Sequence, residues 1–374
     1  QHFWPATMYI EGLDQYRGWF QSSLLVSVGA LGRGAPFREC VTHGWTVDGE
    51  GKAMHKSLGN GMDPAEIFEK YGADLLRLWA GSADYHVDVR CSDEIFKQLS
   101  QNYLKFRNTC KFCLDNLVGF DADRLVQPDE LLPLDKWAVT RLNSLIEKVF
   151  AAYDNYEFHV VSHMINDFCV VDLSSFYFDI IKDRLYCGEE NGLERRSAQT
   201  AVWMILDAMT RMFAPILAFT CDEVWLAMPH RAADDARNVL FNEMVQPYAA
   251  YALSQEEMGR WARIAALRTA VNGALEQARA DKTIGKSLEA EVDLTVTAED
   301  AFLTEMDADA LADTLIVSQV RVDVGAEQAV AVRPASGAKC LRCWKVLPTV
   351  GSDAQHPDLC PRCAAVVKKL PVVE

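Results

Sequence analysis

The chain has 374 residues, half of them apolar, with 53 acidic against 37 basic side chains and a formal net charge of −16. This length exceeds what one hydrophobic core usually supports, so two to four domains are expected. The negative balance argues against a protein that wraps nucleic acid in an overall positive field, and any RNA contact is expected to be local.

Neither a membrane span nor a secretion signal is predicted. No run approaches the roughly 18 consecutive apolar residues of a membrane helix, and the first residues lack the pattern of a signal peptide. The eleven cysteines are therefore expected to be reduced thiols or metal ligands in a cytoplasmic protein. Because the aromatic start, Phe3-Trp4-Pro5, would be costly to expose, we expect an upstream part of the protein to precede it.

The pattern of the chain changes from α/β to helical near residue 92. Residues 1–92 mix short β-rich runs with glycines, as at 40–49, which is typical of α/β structure. From 93 to 245, apolar residues at intervals of three and four predict a helical bundle. The pattern is clearest in three stretches, at 135–153, 159–181 and 197–228.

A small α/β connector is predicted at 246–332. A helix near 257–280 places an apolar stripe on one side, and strand-like runs follow at 291–296 and 320–324. Residues 333–374 contain two cysteine pairs and few apolar side chains that could form a core, so this last module is expected to need a bound metal or a cross-link for its stability.

The cysteine pairs give the strongest chemical signal. Cys340 and Cys343 form one CxxC hook, and Cys360 and Cys363 form a second after sixteen residues. Each hook presents two thiolates from one tight turn, so together they can close a tetrahedral shell with Zn–S distances of about 2.3 Å. A complete thiolate shell predicts a structural Zn²⁺ ion. Four unconnected core cysteines and a redox pair are the alternatives.

The same module is locally basic. Between Arg333 and Lys369, seven Lys or Arg residues stand against only Asp353 and Asp358. This excess makes the module the place where we expect a local RNA contact, with a solvated basic face as the alternative.

The remaining cysteines predict no site. Cys110 and Cys113 form a third CxxC in a helical stretch without a second pair, so we interpret them as partly buried side chains rather than metal or redox groups. The others are expected to be ordinary small apolar residues: Cys40, Cys91, Cys169, Cys187 and Cys221.

A polar loop at 52–60 carries lysines, a hydroxyl and a glycine, in the sequence KAMHKSLGN. Such a loop can close over a polyphosphate and supply positive charge during nucleotidyl transfer, although a solvated surface loop is the alternative. Upstream, the sequence EGLDQYRGWF at 11–20 is expected to begin a helix after an apolar strand. Carboxylates and an amide at such a turn can clasp an ammonium group and ribose hydroxyls, whereas helix capping by Asp14 is the alternative.

These segments together resemble the bacterial-type isoleucyl-tRNA synthetases, a family of class I aminoacyl-tRNA synthetases. The run YIEGLDQYRGWFQSS at 9–23 is similar to the family's LYLEGSDQHRGWFxSS segment, and 54–60 to its KMSKS loop. The stretches 168–177, 182–186 and 195–200 resemble helices of its anticodon domain. With the cysteine pairs, the resemblance covers almost the entire chain, and the related valyl and leucyl enzymes share the loop but lack this combination.

The resemblance implies a multidomain fold, mainly α with α/β parts, that forms the C-terminal portion of such an enzyme. Residues 1–92 would be the C-terminal half of a Rossmann-like catalytic domain with the KMSKS-like loop, and 93–245 an α-helical anticodon-binding bundle. Residues 246–332 would form the α/β connector, and 333–374 a zinc-ribbon-like module with four cysteines.

The implied activity is that of an isoleucine-tRNA ligase, which activates isoleucine with ATP and Mg²⁺ and passes it to tRNA-Ile. Lys56 would be the catalytic lysine on the ATP phosphates. The ATP loop would comprise Met54, His55, Lys56 and Ser57, and isoleucyl-adenylate would be bound by Glu11, Gly12, Asp14, Gln15 and Trp19. A monomer with structural Zn²⁺ is expected, with tRNA-Ile, isoleucine and ATP as partners and no membrane.

The chain also departs from the family. The loop reads AMHKS instead of KMSKS, with Lys52 one position before Ala53, and Leu13 and Tyr16 replace a serine and a histidine. These changes affect the expected rate more than the assignment. No HIGH-type adenine-binding motif, first half of the nucleotide fold or editing insertion occurs, so this chain alone is expected to be inactive. A non-catalytic tRNA-binding fragment or paralogue and an unrelated zinc-ribbon scaffold are the alternatives.

Overall fold

A computed structural model describes residues 4–370, apart from the side chain of Lys56. Phe3, in the aromatic start discussed above, lies outside the described residues. Within them, no helix combines the length and apolar character that a membrane crossing requires. One continuous apolar core runs from Ile67 to Val320. The four terminal cysteines and Cys187 form a second, separate cluster.

The first part is built on two parallel strand pairs. Strand β1 (Ala6–Gly12) pairs with β2 (Phe37–His43), and β3 (Thr46–Val47) pairs with β4 (Val89–Arg90). Parallel neighbours need crossover connections, and helices supply both. The first contains α1 (Trp19–Leu25), and the second contains α2 (Pro64–Tyr71) and α3 (Ala73–Ser82). The start of α2 follows from Pro64 in its first turn and from Asp63, whose side chain accepts a hydrogen bond from the amide of Ala65.

The predicted helical bundle is confirmed. It comprises α4 (Asp93–Asn116), α5 (Pro133–Asp154), α6 (Phe158–Asp167), α7 (Phe178–Cys187), α8 (Leu193–Phe213) and α9 (Ala218–Ala227). Every residue of α8 from Ser197 onward is buried, so this helix is the centre of the bundle. Between α6 and α7 the chain widens into a ten-residue π-helical segment, Phe168–Tyr177, that the apolar spacing does not reveal.

The family-like stretches of the bundle meet inside it, at Asp135. The carboxylate of Asp135 is fully buried and accepts hydrogen bonds from Tyr177 at 2.7 Å, Ser197 at 2.5 Å and Arg184 at 2.9 Å. One donor comes from each of 168–177, 182–186 and 195–200. These three polar side chains therefore hold the helices together from within.

The connector contains one long helix and a three-stranded sheet. Helix α10 (Gln255–Ala280) begins with a capping box between Ser254 and Glu257. Strands β5 (Ala290–Val296) and β6 (Gln319–Val324) form where strand-like runs were expected. Strand β5 pairs in parallel with β6 and antiparallel with β7 (Ala329–Pro334). Strand β7 and helix α11 (Ala308–Leu315) were not predicted. The expected boundary between 332 and 333 falls inside β7.

The last module is a small hairpin followed by a short helix. Strand β8 (Ala338–Lys339) pairs antiparallel with β9 (Val346–Leu347), and α12 (Pro361–Val367) begins at the second cysteine hook. Gly337 has a φ of +116°, and a Cβ there would lie 2.2 Å from the backbone of Leu347. Only glycine fits this approach.

Candidate active-site segments and zinc cluster

The adenylate-like segment leaves the carboxyl end of a parallel strand. Glu11 and Gly12 close β1, where they pair with Thr42 and His43 at the end of β2. This edge is where open α/β sheets bind their ligands. A Cβ on Gly12 would stand 3.0 Å from the Asp14 carboxylate and 3.6 Å from the ring of Trp45, so glycine permits the close turn.

The capping role considered as the alternative for Asp14 is taken by Gln15. The side-chain oxygen Oε1 of Gln15 accepts a hydrogen bond from the backbone amide of Trp19 at 2.8 Å, and a Cβ on Gly18 would collide with the same oxygen. Glu11 and Asp14 are exposed, and 61% of Trp19 is accessible. The Gln15 side chain thus fixes the start of α1. The side chains of Glu11, Asp14 and Trp19, between the end of β1 and the start of α1, are exposed to solvent.

The ATP-loop segment is closed by a clasp between Asp48 and Asn60. The Asn60 amide group donates to the Asp48 carboxylate at 2.8 Å and to the carbonyl of Ala53 at 3.1 Å, and its oxygen accepts from the amide of His55 at 2.9 Å. The other Asp48 oxygen accepts from the amide of Lys52 at 2.8 Å. The Asn60 hydrogen bond is the main cause that holds the pKa of Asp48 below its ordinary value.

Within the clasp, the predicted loop residues have different environments. Met54 is half-buried and packs against the core, whereas His55 and Ser57 are exposed. Lys56 begins a short 3₁₀ turn that ends at Leu58, and its side chain lies outside the described residues. Lys52, which precedes Ala53, forms an ion pair with Glu50 at 2.7 Å. No hydrogen bond between described residues joins this loop to the 11–19 segment.

The four predicted zinc ligands meet at one point. The sulfur atoms of Cys340, Cys343, Cys360 and Cys363 all lie within 4.8 Å of one another, and all four residues are buried. The sulfurs of Cys343 and Cys360 are 3.9 Å apart, close to the spacing of about 3.8 Å in a tetrahedron with Zn–S bonds of 2.3 Å. The amide of Cys360 also points at the Cys340 sulfur, at 3.3 Å. Four thiolates in this arrangement fit a structural Zn²⁺ ion.

The basic side chains around this cluster are largely engaged within the protein. Arg333, Lys345, Arg362, Lys368 and Lys369 each form an ion pair with an acidic side chain. Arg342 donates to the backbone carbonyl of Cys187. Of the seven basic residues that suggested an RNA surface, only Lys339 has no such partner among the described residues. A count of charges in the sequence does not reveal these partners, most of which lie outside the module; only Lys368 pairs within it, with Asp353.

The CxxC at Cys110 and Cys113 is structural, and both residues are completely rather than partly buried. Burial raises the pKa of both thiols well above the ordinary value, which disfavours the reactive thiolate. Cys91, Cys169, Cys187 and Cys221 are also buried as expected, whereas Cys40 is exposed on β2.

Comparison with known protein families divides the chain in the same order. Residues 1–92 match a family described as tRNA synthetases class I (I, L, M and V). Residues 135–294 match the anticodon-binding domain of tRNA ligase, and 337–366 match the zinc finger found in FPG and IleRS. The predicted fold class and the zinc module are therefore confirmed.

Two solved structures share the fold at low sequence identity. A LeuRS from Agrobacterium radiobacter K84, in a ternary complex with tRNA, has a TM-score of 0.51 and 15% identity over 88% of this chain and 38% of its own. The methionyl-tRNA synthetase of Mycobacterium tuberculosis has a TM-score of 0.51 and 20% identity over 60% of this chain and 44% of its own.

Relatives named isoleucine-tRNA ligase are much more similar. That of Geobacter sulfurreducens is 46% identical over 97% of the chain, and that of Moorella thermoacetica 45% identical over 98%. The chain spans 40% of the length of the first of these relatives and 41% of the second. The chain matches three domain families in one order, and its identity of 45–46% to these relatives extends over nearly its whole length. Both findings lead to the same assignment. The chain belongs to the isoleucine-tRNA ligase family of class I aminoacyl-tRNA synthetases.

Proposed function

We propose that this chain supplies part of the catalytic domain, the anticodon-binding bundle and the zinc module of an isoleucine-tRNA ligase. The complete reaction would join isoleucine to ATP as isoleucyl-adenylate, with Mg²⁺, and then transfer the acyl group to tRNA-Ile. The observation that carries this proposal is the 45% identity to isoleucine-tRNA ligases over 98% of the chain. A monomeric, cytoplasmic enzyme is part of the same proposal.

We assign the catalytic residues by their places in the two segments. Lys56 would neutralise the ATP phosphates from the loop of Met54, His55 and Ser57. Donors of this kind contribute about 3–4 kcal/mol to the transition state. The adenylate would lie against the edge where β1 ends, with Glu11, Gly12, Asp14, Gln15 and Trp19 around it. The exposure of Glu11, Asp14 and Trp19 supports this role, because among the described residues no other side chain forms a hydrogen bond or ion pair with their side chains.

We assign the domains as 1–92 catalytic, 93–245 anticodon-binding, 246–332 connector and 333–374 zinc module. The bundle would meet the anticodon of the tRNA, because the match to the anticodon-binding family, at 135–294, covers its helices from α5 to α9. The zinc module offers one further contact: Trp344 is 58% exposed, with the Lys286 ammonium 5.8 Å from its ring centre. An exposed indole beside a cation suits the stacking of an unpaired RNA base.

A hybrid enzyme tests the catalytic proposal. The chain would replace its counterpart in the Geobacter sulfurreducens ligase, which is 46% identical to it, and isoleucine-dependent ATP–pyrophosphate exchange would be measured. We expect exchange in the hybrid, and a decrease of about 100- to 1,000-fold in Lys56→Ala. A stable hybrid without exchange would contradict the proposal. An unchanged rate in Lys56→Ala would assign the phosphate contact to another residue.

The competing function is a tRNA-binding protein without catalysis. It would give the same tRNA affinity but no exchange in the hybrid, so the two assays separate the alternatives. Labelled tRNA-Ile would be titrated against the 374-residue chain at two salt concentrations, with an initiator-type methionine tRNA as control. We expect modest, salt-sensitive binding that Trp344→Ala weakens, because the net charge opposes RNA. No binding at low salt would exclude the tRNA-binding role for this chain and leave the exchange assay as the test of catalysis.

A further inference from the structure

Both cysteine hooks carry an arginine at the same position, and both arginines reach one helix. The hooks read Cys-Leu-Arg-Cys and Cys-Pro-Arg-Cys, with Arg342 and Arg362 in third place. Arg362 binds the Asp183 carboxylate through both terminal nitrogens, one of them at 2.9 Å, and Arg342 donates to the carbonyl of Cys187. Asp183 and Cys187 are four residues apart on α7, so they share one face of that helix.

The same arginines lie beside the thiolates. A Zn²⁺ ion with four thiolate ligands carries a net negative charge, and nearby cations stabilise such a cluster. The guanidinium of Arg342 is 4.0 Å from the Cys363 sulfur. Arg362, between Cys360 and Cys363 in sequence, lines one cavity together with Cys343 and Cys360. Each arginine therefore faces the metal cluster on one side and α7 on the other.

We propose that Arg342 and Arg362 are outer-shell residues of the zinc cluster that also dock the module on α7, so that zinc retention and docking are coupled. Docked, α7 holds each guanidinium against the cluster and the thiolates are better stabilised. Undocked, both arginines are free to rotate into water and that stabilisation weakens. The helix therefore acts on the metal through these two side chains.

Further ion pairs indicate that the basic residues of the zinc module bind acidic residues of the rest of the chain. Lys369 pairs with Glu189 at 2.8 Å just beyond α7, and Lys345 pairs with Asp313 on α11. The buried Cys187 side chain packs against the cluster, and its thiol donates to the carbonyl of Arg342 at 3.5 Å. A basic module thus fits an acidic surface of its own chain, which accounts for its charge without RNA.

Asp183 provides the decisive variant because it makes no hydrogen bond with the four ligands in the described structure. It lies 179 positions from Arg362 in sequence. An effect of Asp183→Ala on zinc retention must therefore pass through the docking contact. Outer-shell partners of metal ligands typically change metal affinity by about 10- to 100-fold, so the effect is measurable.

The experiment measures how fast zinc passes from the zinc-loaded 374-residue chain to a chromogenic chelator. We expect Asp183→Ala and Arg362→Ala each to raise the rate about tenfold or more, and the double variant to release zinc no faster than Arg362→Ala. Glu190→Ala is the matched control, because Glu190 is an exposed acid next to Glu189 without an ion pair in the described structure. Arg362→Lys should fall between wild type and Arg362→Ala, since lysine keeps the charge but not the paired hydrogen bonds.

Two results would overturn the proposal. Faster release in Arg362→Ala with a wild-type rate in Asp183→Ala would leave an outer-shell arginine without coupling to docking. Wild-type rates in both would remove the outer-shell role as well. Asp183→Asn keeps the size of the side chain and provides the same comparison if Asp183→Ala does not fold.

Discussion

The Asp74 carboxylate caps a helix in a different part of the chain, at Thr220. It accepts hydrogen bonds from the Thr220 amide at 2.7 Å and from its hydroxyl at 2.6 Å. Asp74 lies in the first turn of α3, which follows α2, and Thr220 is in the first turn of α9 in the bundle. Arg77, one turn further along α3, binds the carbonyls of Pro215 and Ile216 just before α9. Helix α3 and the bundle are thereby joined at a polar contact.

Replacing Asp74 should weaken this joint. Asp74→Ala leaves the buried amide of Thr220 without an acceptor, which typically costs about 1–3 kcal/mol, whereas the Thr220 hydroxyl keeps the Tyr103 hydroxyl as a partner at 3.1 Å. We expect a lower free energy of unfolding by urea, and faster hydrogen exchange in 213–220. Glu69→Ala, an exposed acid on α2, is the control and should change neither. Wild-type exchange in Asp74→Ala would show that the carboxylate does not hold the joint.

Periodic and closely spaced patterns were predictable from sequence, and long-range polar contacts were not. The bundle, α10, strands β5 and β6 and the four zinc ligands follow from apolar spacing or from fixed cysteine intervals. The contact of Asp74 with Thr220 joins positions 146 residues apart, and nothing local to either marks it. Strand β7 is a short edge strand without a buried residue, and it ends in Arg333 and Pro334, so its apolar pattern is too weak to predict a strand.

The family-like stretches show the same limit at Asp135. Their resemblance to helices of an anticodon domain does not reveal that Tyr177, Arg184 and Ser197 point inward to one carboxylate. Asp135→Ala would leave Arg184 as an uncompensated buried charge, a change that typically costs about 3–5 kcal/mol. We expect a matching loss in urea unfolding of the bundle, monitored by circular dichroism. The exposed Asp129→Ala should leave stability within about 0.5 kcal/mol of wild type, and an equal effect of both variants would contradict the assignment.

Zinc removal should unfold only the last module. We expect one zinc per chain by metal analysis, and loss of that zinc in Cys340→Ser with Cys360→Ser. Structural zinc supplies on the order of 10 kcal/mol of folding free energy, so a strong chelator should expose 337–366 to proteolysis. The bundle has its own core, so its circular dichroism should persist. The double variant Cys110→Ser and Cys113→Ser is the control for the number of thiols and should retain the metal. A full zinc content in the double variant Cys340→Ser and Cys360→Ser would refute the site.

The hydrogen bonds between Asp48 and Asn60 should restrict the mobility of the loop at 52–60. Asn60→Ala removes the bonds to Asp48, Ala53 and His55 together, and we expect trypsin to cleave after Lys52 and Lys56 about fivefold faster or more, the effect of losing one ordinary hydrogen bond. Asn108→Ala on the exposed side of α4 is the matched control and should cleave at the wild-type rate.

The pKa of Asp48 gives a second measure of the same clasp. Because that pKa is depressed in the folded chain, the contribution of Asp48 to stability is complete above the ordinary aspartate pKa and is lost as the pH falls through the lowered value. The clasp is therefore intact at the alkaline pH of the trypsin assay. In Asn60→Ala the largest cause of the shift disappears, so the pKa of Asp48, followed by carboxyl-carbon NMR, should rise towards the ordinary value. An unchanged pKa together with unchanged cleavage would show that the backbone bonds from 50–52 hold the loop without Asn60.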